Sequence, residues 1–368
     1  MSDQRTRGTE TTSGPEGAHQ GAGIPPAAAA VAETFPLGLH WPTVDPFLFV
    51  AHHRDDYPAG TEEMSPAEPL GARQIGSDFS GLNGWSMYHG DRVPGFPSHP
   101  HRGFETITYV RQGLVDHSDS LGATARFGRG DTQWLTTGAG VVHSEMFPLV
   151  NRDRRNPTEL FQIWLNLPAQ SKFANPYFTM FWADSIPRIR PGSGVSVTVI
   201  AGSLPGAGTE GVPPTPPPDS WASRDEAEIA VWHVVMEGGS RWELPGVTRA
   251  GTRRMLYVFD GGPIEVSGTE VRAGTGARPA DGRALELVAG PGRVELLLLQ
   301  GRPIGEPVAR YGPFVMNTRS EIMDAMEDYQ RTQFGGWPWG SAGPVHPVDR
   351  GRFAIHPDGR EETPADRD

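Results

Sequence analysis

Ser98-His99-Pro100-His101-Arg102-Gly103-Phe104-Glu105-Thr106-Ile107-Thr108-Tyr109-Val110-Arg111-Gln112-Gly113-Leu114-Val115-Asp116-His117-Ser118 is the stretch from which the fold can be read. Thr106 to Val110 is rich in β-branched and aromatic residues and reads as a strand, which Gln112-Gly113 ends. Leu114 to Ser118 follows as its hairpin partner. Turns at Asp119–Gly122 and Phe127–Asp131, another strand at Gln133–Thr136 and a tight glycine turn at Gly138-Ala139-Gly140 continue the rhythm. Short strands with closely spaced turns predict a β-barrel or sandwich.

Upstream, Phe47 to Val50 reads as a first buried strand, and Trp85 to His89 as another. His52 and His53 are adjacent, so on a strand they point to opposite faces and cannot jointly chelate one metal. Tyr57 to Gly76 is a long proline-containing loop, either a cover over a site or a surface excursion. Downstream, Glu159 to Leu167 alternates, and its Phe161, Ile163, Leu165 and Leu167 face belongs in the core. The charged run Asn151 to Asn156 before it reads as a solvated loop.

The second half repeats the theme at Val195–Ile200, Ile229–Met236, Arg254–Phe259, Gly262–Val266, Ala284–Val288 and Val294–Gln300, which predicts a duplicated barrel. The proline-rich run Val212 to Pro218 is a stiff loop between the first two. This half holds a single histidine, His233, on an apolar strand, so it reads as metal-free. Thr318-Arg319-Ser320-Glu321 is a helix-start pattern, with Ile322, Met323, Met326 and Tyr329 on one face and Gly335-Gly336 as the stop. The organisation expected is a disordered tail over residues 1–34 and a first, metal-binding barrel over 35–184. A second barrel follows over 185–339, with a helix near 319–334, and a flexible tail over 340–368.

Composition narrows the chemistry. With 32 basic and 44 acidic residues among 368, the formal charge is −12, which disfavours direct binding to nucleic acid or an anionic membrane. The absence of cysteine excludes disulfides and thiolate ligands, so a metal would sit in nitrogen and oxygen donors. No apolar run spans a bilayer and no secretory signal opens the chain, so a soluble, cytoplasmic and monomeric protein is expected. The 47 glycines and 36 prolines disfavour a mainly helical fold.

His99 and His101 stand in an i, i+2 relation, as do His143 and Glu145, so on extended strands each pair presents both side chains to one face. Two such pairs on neighbouring strands would offer three imidazoles and one carboxylate, leaving positions open for water, dioxygen or substrate. Glu105 shares the parity of His101 and is a competing carboxylate. Cysteine-free ligation with open positions points to Fe(II), with Mn, Ni, Cu, Co or Zn also allowed. Ser144 lies between His143 and Glu145 without a nucleophile elbow, and no phosphate-binding glycine loop is present, so neither a serine hydrolase nor a nucleotide enzyme is indicated.

These motifs resemble those of the pirins, a family within the cupin superfamily. The resemblance rests on Gly95 to Thr106, Gly130 to Thr136, Gly138 to Glu145, Gly301 to Val308 and Gly312 to Thr318, and covers about residues 36–335. It implies a mainly β bicupin: two cupin-type β-barrels packed face to face, one iron in the first, none in the second, a short C-terminal helix and disordered termini. It also implies that the ligands are His99, His101, His143 and Glu145, with Glu105 in support behind them. Some pirins act as quercetin 2,3-dioxygenases and others as iron-dependent regulators. The resemblance therefore implies either a dioxygenase on a small phenolic substrate, with Glu145 as candidate general base and Phe96, Phe104 and Trp134 lining an aromatic pocket, or a non-enzymatic redox sensor that works through a protein partner.

Overall fold

The structure, a computed structural model, describes residues 29–365. Residues 1–28 of the expected disordered tail over 1–34, and the last three residues of the expected flexible tail, lie outside them. The first half forms two sheets that close on each other. One is built from β2 (His40–Trp41), β3 (Phe47–Tyr57), β10 (Asn156–Asn166), β5 (Phe104–Gln112), β8 (Thr132–Thr136) and β11 (Tyr177–Phe181), in the order β11-β8-β5-β10-β3-β2. The other holds β4 (Gly95–His101), β9 (Val141–Met146), β6 (Leu114–Asp119) and β7 (Thr124–Gly128), in the order β4-β9-β6-β7.

The second half repeats this. A large sheet contains β12 (Arg188–Gly192), β13 (Val195–Ala201), β14 (Ala230–Met236), β21 (Val294–Gly301), β16 (Arg253–Gly261) and β19 (Thr275–Pro279). Against it lies a smaller one of β15 (Arg241–Leu244), β20 (Leu285–Ala289), β17 (Ile264–Val266) and β18 (Thr269–Val271).

Side-chain alternation sorts these strands into three layers of core. Leu160 of β10 and Val110 of β5 point into the first barrel with Phe147 and Leu135. Trp232, Leu256, Leu296 and Leu298 fill the second. Between the barrels, Ile107, Tyr109, Phe161, Ile163 and Leu165 meet Val231, Met255, Tyr257, Leu297 and Leu299. The large sheet of each half is thus buried on both faces, which is why Val294 to Leu299 reads as a nearly unbroken apolar run. His233, the lone histidine of the second half, lies in this layer, within 2.7 Å of Glu295 and 3.3 Å of the Tyr109 hydroxyl. Its place is a hydrogen-bonded one.

Both ends of the described chain depart from expectation. Val31–Thr34, read as the end of a disordered tail, and Phe35-Pro36, read as the start of the first barrel, together form strand β1 on the edge of the second barrel, paired with β19. Phe35 lies over Gly276, where a Cβ would come within 2.3 Å of its ring. The segment after 340, read as flexible, returns to the first barrel: β24 (Phe353–Ile355) pairs with β7, and β25 (Glu361–Glu362) pairs with β24. Backbone pairing to an open sheet edge needs little apolar content, so the polar composition was a poor guide. The buried Arg126 guanidinium adds an anchor, holding the Asp116 carboxylate and donating to the carbonyls of His346, Pro347 and Arg350.

Helix α1 (Arg319–Thr332) starts as the sequence predicts. The Thr318 hydroxyl accepts from the Glu321 amide, and the Glu321 carboxylate accepts from the Thr318 amide. Ile322 and Ala325 are buried, with Met326 and Tyr329 beside them. Met323 is 56% exposed, because one residue past Ile322 rotates it off the buried stripe. No helix among the described residues is long and apolar enough to cross a membrane.

The second half also braces the histidine motif of the first. The Val315 amide donates to the Arg102 carbonyl, beside β22 (Ala309–Tyr311) and β23 (Phe314–Met316). Gly103 has φ +86°, and a Cβ there would lie 2.0 Å from the Val315 carbonyl oxygen. Gly103→Ala should therefore destabilise the protein by about 1–3 kcal/mol in urea unfolding, from left-handed strain together with overpacking. Gly122→Ala, at φ +90° with open space around it, carries only the strain and should cost less. Equal losses at the two positions would contradict this brace.

Candidate metal centre

Strand β4 is an edge strand, so Pro100 removes no ladder hydrogen bond that the sheet needs. It pairs antiparallel with β9 in a register that sets His99 opposite His143 and Pro100 opposite Val142. The i, i+2 spacing then turns His99 and His101 to the barrel interior beside His143. One ligand atom from each of the three lies within 4.8 Å of the others. Their ring centroids are 4.5–4.9 Å apart.

The two loops that deliver these strands are tied together. The Gly103 amide donates to the Gly138 carbonyl, and Arg102 Nε donates to the Ala139 carbonyl at 2.7 Å. Arg102 also pairs with Asp328 of α1 and lies over the Phe334 ring.

The nitrogens themselves have unmet bonding capacity. His99 Nδ1 is 2.8 Å from the Pro97 carbonyl, which fixes that ring and turns Nε2 the other way. Neither ring nitrogen of the buried His143, nor Nδ1 of His101, has a hydrogen-bond partner among the described residues. Orphaned nitrogens in a buried cluster are costly unless something binds them. Burial holds His99 down to about 4, and burial together with neighbouring imidazoles holds His101 and His143 well below the usual histidine range. All three are neutral at pH 7 with lone pairs free for a cation. This donor set fits a divalent metal.

Glu145 follows His143 on β9 and is 96% buried. One carboxylate oxygen is 2.9 Å from the Thr108 hydroxyl, whose single proton it shares with the Gln162 side-chain oxygen at 2.6 Å, and the other accepts from the Gln162 amide at 2.8 Å, which leaves a lone pair free on each. Oε2 lies 3.9 Å from His143 Nε2, and the carboxylate stands outside the tight histidine group. Burial raises its affinity for a proton above that of an ordinary glutamate.

Glu105 is elsewhere. The sequence reading carried the parity of His101 across Arg102-Gly103, but Gly103 is left-handed and the chain changes sheets there, so the parity is lost. The Glu105 carboxylate faces the layer between the barrels. It accepts from Trp134 Nε1, the Thr136 hydroxyl and, from the second half, the Ser220 hydroxyl. Trp134 goes with it, packed among the residues between the barrels rather than lining a pocket. Phe104 is fully buried against His101 and Trp164, at 5.1 and 4.2 Å between ring centroids. Of the three aromatic residues expected in the pocket, Phe96 lines it.

The cavity in front of the histidines has a volume of about 450 Å³, within the usual range for small-molecule sites. Phe49, Phe79, Phe147 and Trp164 join Phe96 around it, and His53, His89, Thr108 and Gln162 supply polar groups. Several of these carried a legible signal. Gln162 and Trp164 fill the face of β10 opposite its apolar one, and a polar residue on an interior face calls for a partner. His53 faces the cavity, whereas His52 stacks on Phe161 between the barrels, as the opposite-face reading requires. Phe79, which follows the long Tyr57–Gly76 loop, and His89, whose Nδ1 is 2.7 Å from the Gly76 carbonyl, place the end of that loop at the cavity rim. His117 lies behind His143, with ring centroids 5.5 Å apart and Nε2 3.2 Å from Asp119, and nothing in its sequence context marked it.

Comparison with known proteins agrees with this architecture. Residues 30–165 match the family model described as Pirin, and residues 231–335 match the Pirin C-terminal cupin domain. A pirin-like protein of Caulobacter vibrioides is 39% identical over 66% of this chain and 82% of its own length. A Pseudomonas aeruginosa protein provisionally named as a quercetin 2,3-dioxygenase is 37% identical over 65% of this chain and 80% of its own. A crystal structure of quercetin 2,3-dioxygenase from Acinetobacter baumannii superposes with TM-score 0.63 at 26% identity, covering 83% of this chain and 98% of that one.

The placement of Glu105 has a measurable consequence. Burial pushes its carboxyl from 4.5 up to about 7, against the pull of its three donors. Between those values the unfolded chain releases a proton that the folded chain keeps, so stability falls as pH rises from 4.5 to 7 and then levels off. Glu105→Gln removes this dependence. The stability of the variant relative to the parent, from urea unfolding, should improve by roughly 3 kcal/mol across that interval. A difference that stays constant with pH would mean that Glu105 is not the buried acid described.

Proposed function

Because this chain belongs to the pirin family, we propose that it is a metal-dependent oxygenase of the quercetin 2,3-dioxygenase type, acting on a flavonol or another small phenolic compound. The observation that carries the reading is the juxtaposition of three neutral imidazoles, two of them with unpartnered buried nitrogens, and a cavity walled by aromatic rings. His99, His101 and His143 would hold the metal, with Glu145 as the carboxylate donor. Fe(II) is the first choice for such a nitrogen-rich shell, and Mn, Ni, Cu, Co and Zn are chemically admissible. Bound iron would supply redox activation of dioxygen and Lewis-acid polarisation of a phenolic oxygen.

The chain's own groups divide the remaining work. Phe96, Phe49 and Trp164 present faces and edges on which a planar phenolic ring stacks, and their apolar surface excludes water from the reacting atoms. Glu145 is the candidate general base. Thr108 and Gln162 contact one oxygen each, so a carboxylate oxygen not engaged by the metal keeps a lone pair with which it can take a hydroxyl proton from the substrate at the metal-facing end of the cavity. Thr108 and Gln162 fix its orientation from the opposite sheet, so both sheets of the barrel act on one carboxylate.

Oxygen consumption by iron-loaded protein with quercetin and a panel of simpler phenols tests this reading. Turnover should require metal and disappear in His101→Ala. In Gln162→Leu, which removes one of the two donors holding Glu145, metal affinity or turnover should fall roughly 10–100-fold. A protein that binds one iron tightly yet consumes no oxygen with any phenol would contradict the oxygenase reading while leaving the metal centre intact.

A further inference from the structure

The second barrel carries no histidine cluster among the described residues, yet it has a cavity of its own. At its mouth is a cavity of about 350 Å³ lined by Ile229, Ala230, Trp232, Arg254 and Gln300 among others. Antiparallel register aligns Arg254 of β16 with Gln300 of β21, and Gln300 with Ala230 of β14. Trp232 follows Ala230 by two residues and shares its inward face. Arg254 is 4% exposed and Trp232 is 1% exposed.

These two side chains carry buried donors with nothing to donate to. Arg254 Nε donates to the Gln300 side-chain oxygen at 2.7 Å, but its Nη1 has no partner among the described residues, and neither has Trp232 Nε1. Burial pulls the Arg254 guanidinium down to about 10, so it remains charged at neutral pH. Glu228 also lines the cavity, but its carboxylate is spent on the backbone amides of Thr248 and Arg249 and on the hydroxyls of Thr248 and Thr252. The Glu228 charge lies near the guanidinium, but its oxygens are taken by those four donors, so Arg254 Nη1 and the indole N–H stay buried donors without an acceptor, which is unfavourable until an acceptor binds.

We propose that the mouth of the second barrel binds a small organic carboxylate, the anion received by Arg254 and the indole N–H of Trp232, and its apolar part lodged against Ile229 and Ala230. The planar guanidinium fork matches a carboxylate, and the three arginines on the cavity wall, Arg224, Arg249 and Arg254, exceed its two carboxylates, Asp225 and Glu228, by one charge, which matches a monoanion. A dianion would bring a second negative charge towards Glu228 and Asp225, which share the cavity. This site is separate from the histidine cluster, which lies inside the other barrel.

Titration calorimetry of the full-length protein with benzoate, acetate and inorganic phosphate tests the proposal. Benzoate should bind saturably at one site and raise the melting temperature. Arg254→Gln should weaken that binding by about tenfold or more. Trp232→Phe, which keeps the ring and removes the N–H, should weaken it by a smaller factor and serves if the arginine variant does not fold. His101→Ala should leave it unchanged. In amide NMR spectra, benzoate should shift Ala230, Gln300 and the Trp232 indole signal and leave β4 and β9 unmoved. No saturable binding up to millimolar benzoate, binding indifferent to both second-barrel variants, or tighter binding of phosphate than of benzoate would each overturn the proposal.

Discussion

One antiparallel pairing underlies the rest: β4 against β9, with His99 directly opposite His143. A slip of one residue on either strand would turn its ligands out of the barrel, because side chains alternate between faces. The register is therefore held from outside the pair. Gly103 and Gly138 join the two ligand loops through a backbone hydrogen bond, and Arg102 reaches across to Ala139. Phe334, just past α1, packs on Gly140, where any Cβ would meet its ring within 2.6–2.8 Å. The C-terminal segment adds a bond from the Ser98 amide to the Ala342 carbonyl. Elements far apart in sequence thus converge on the two short motifs that carry the imidazoles.

The large sheet of the first barrel links that centre to the second half. Its inner face carries Thr108, Gln162 and Trp164 towards the cavity, and its outer face carries Ile107, Tyr109, Phe161 and Ile163 into the layer between the barrels. Packing of the two halves and orientation of Glu145 are consequently set by the same strands. The polar groups in that layer follow the same economy. Arg111 pairs with both Glu159 of the first half and Glu295 of the second, so a charge buried by the assembly is met from both sides.

Much of this was legible in the sequence where a local rule governs. Strand alternation exposed the apolar face of β10, the capping box marked the start of α1, and the i, i+2 pairs singled out three histidines that the fold brings together. The rule failed where the chain leaves its strand. Glu105 was given the parity of His101, but the turn at Gly103 moves it to another sheet and another side. Trp134 followed the same error, since an aromatic on a strand does not declare which of two buried faces it occupies. The terminal strands β1 and β24 were missed because edge pairing is made by backbone groups, which composition does not reveal. The cavity residues Phe79, His89 and His53 come from segments whose convergence only the closed barrel creates.

The proposal on which the rest depends is a single metal in the first barrel, held by His99, His101 and His143 on paired strands. Metal analysis combined with X-ray absorption on anaerobically iron-loaded protein tests it most directly. The account predicts one metal per chain in a shell dominated by imidazole nitrogen, lost in His143→Ala. A second equivalent of tightly bound metal, or undiminished binding in that variant, would contradict it.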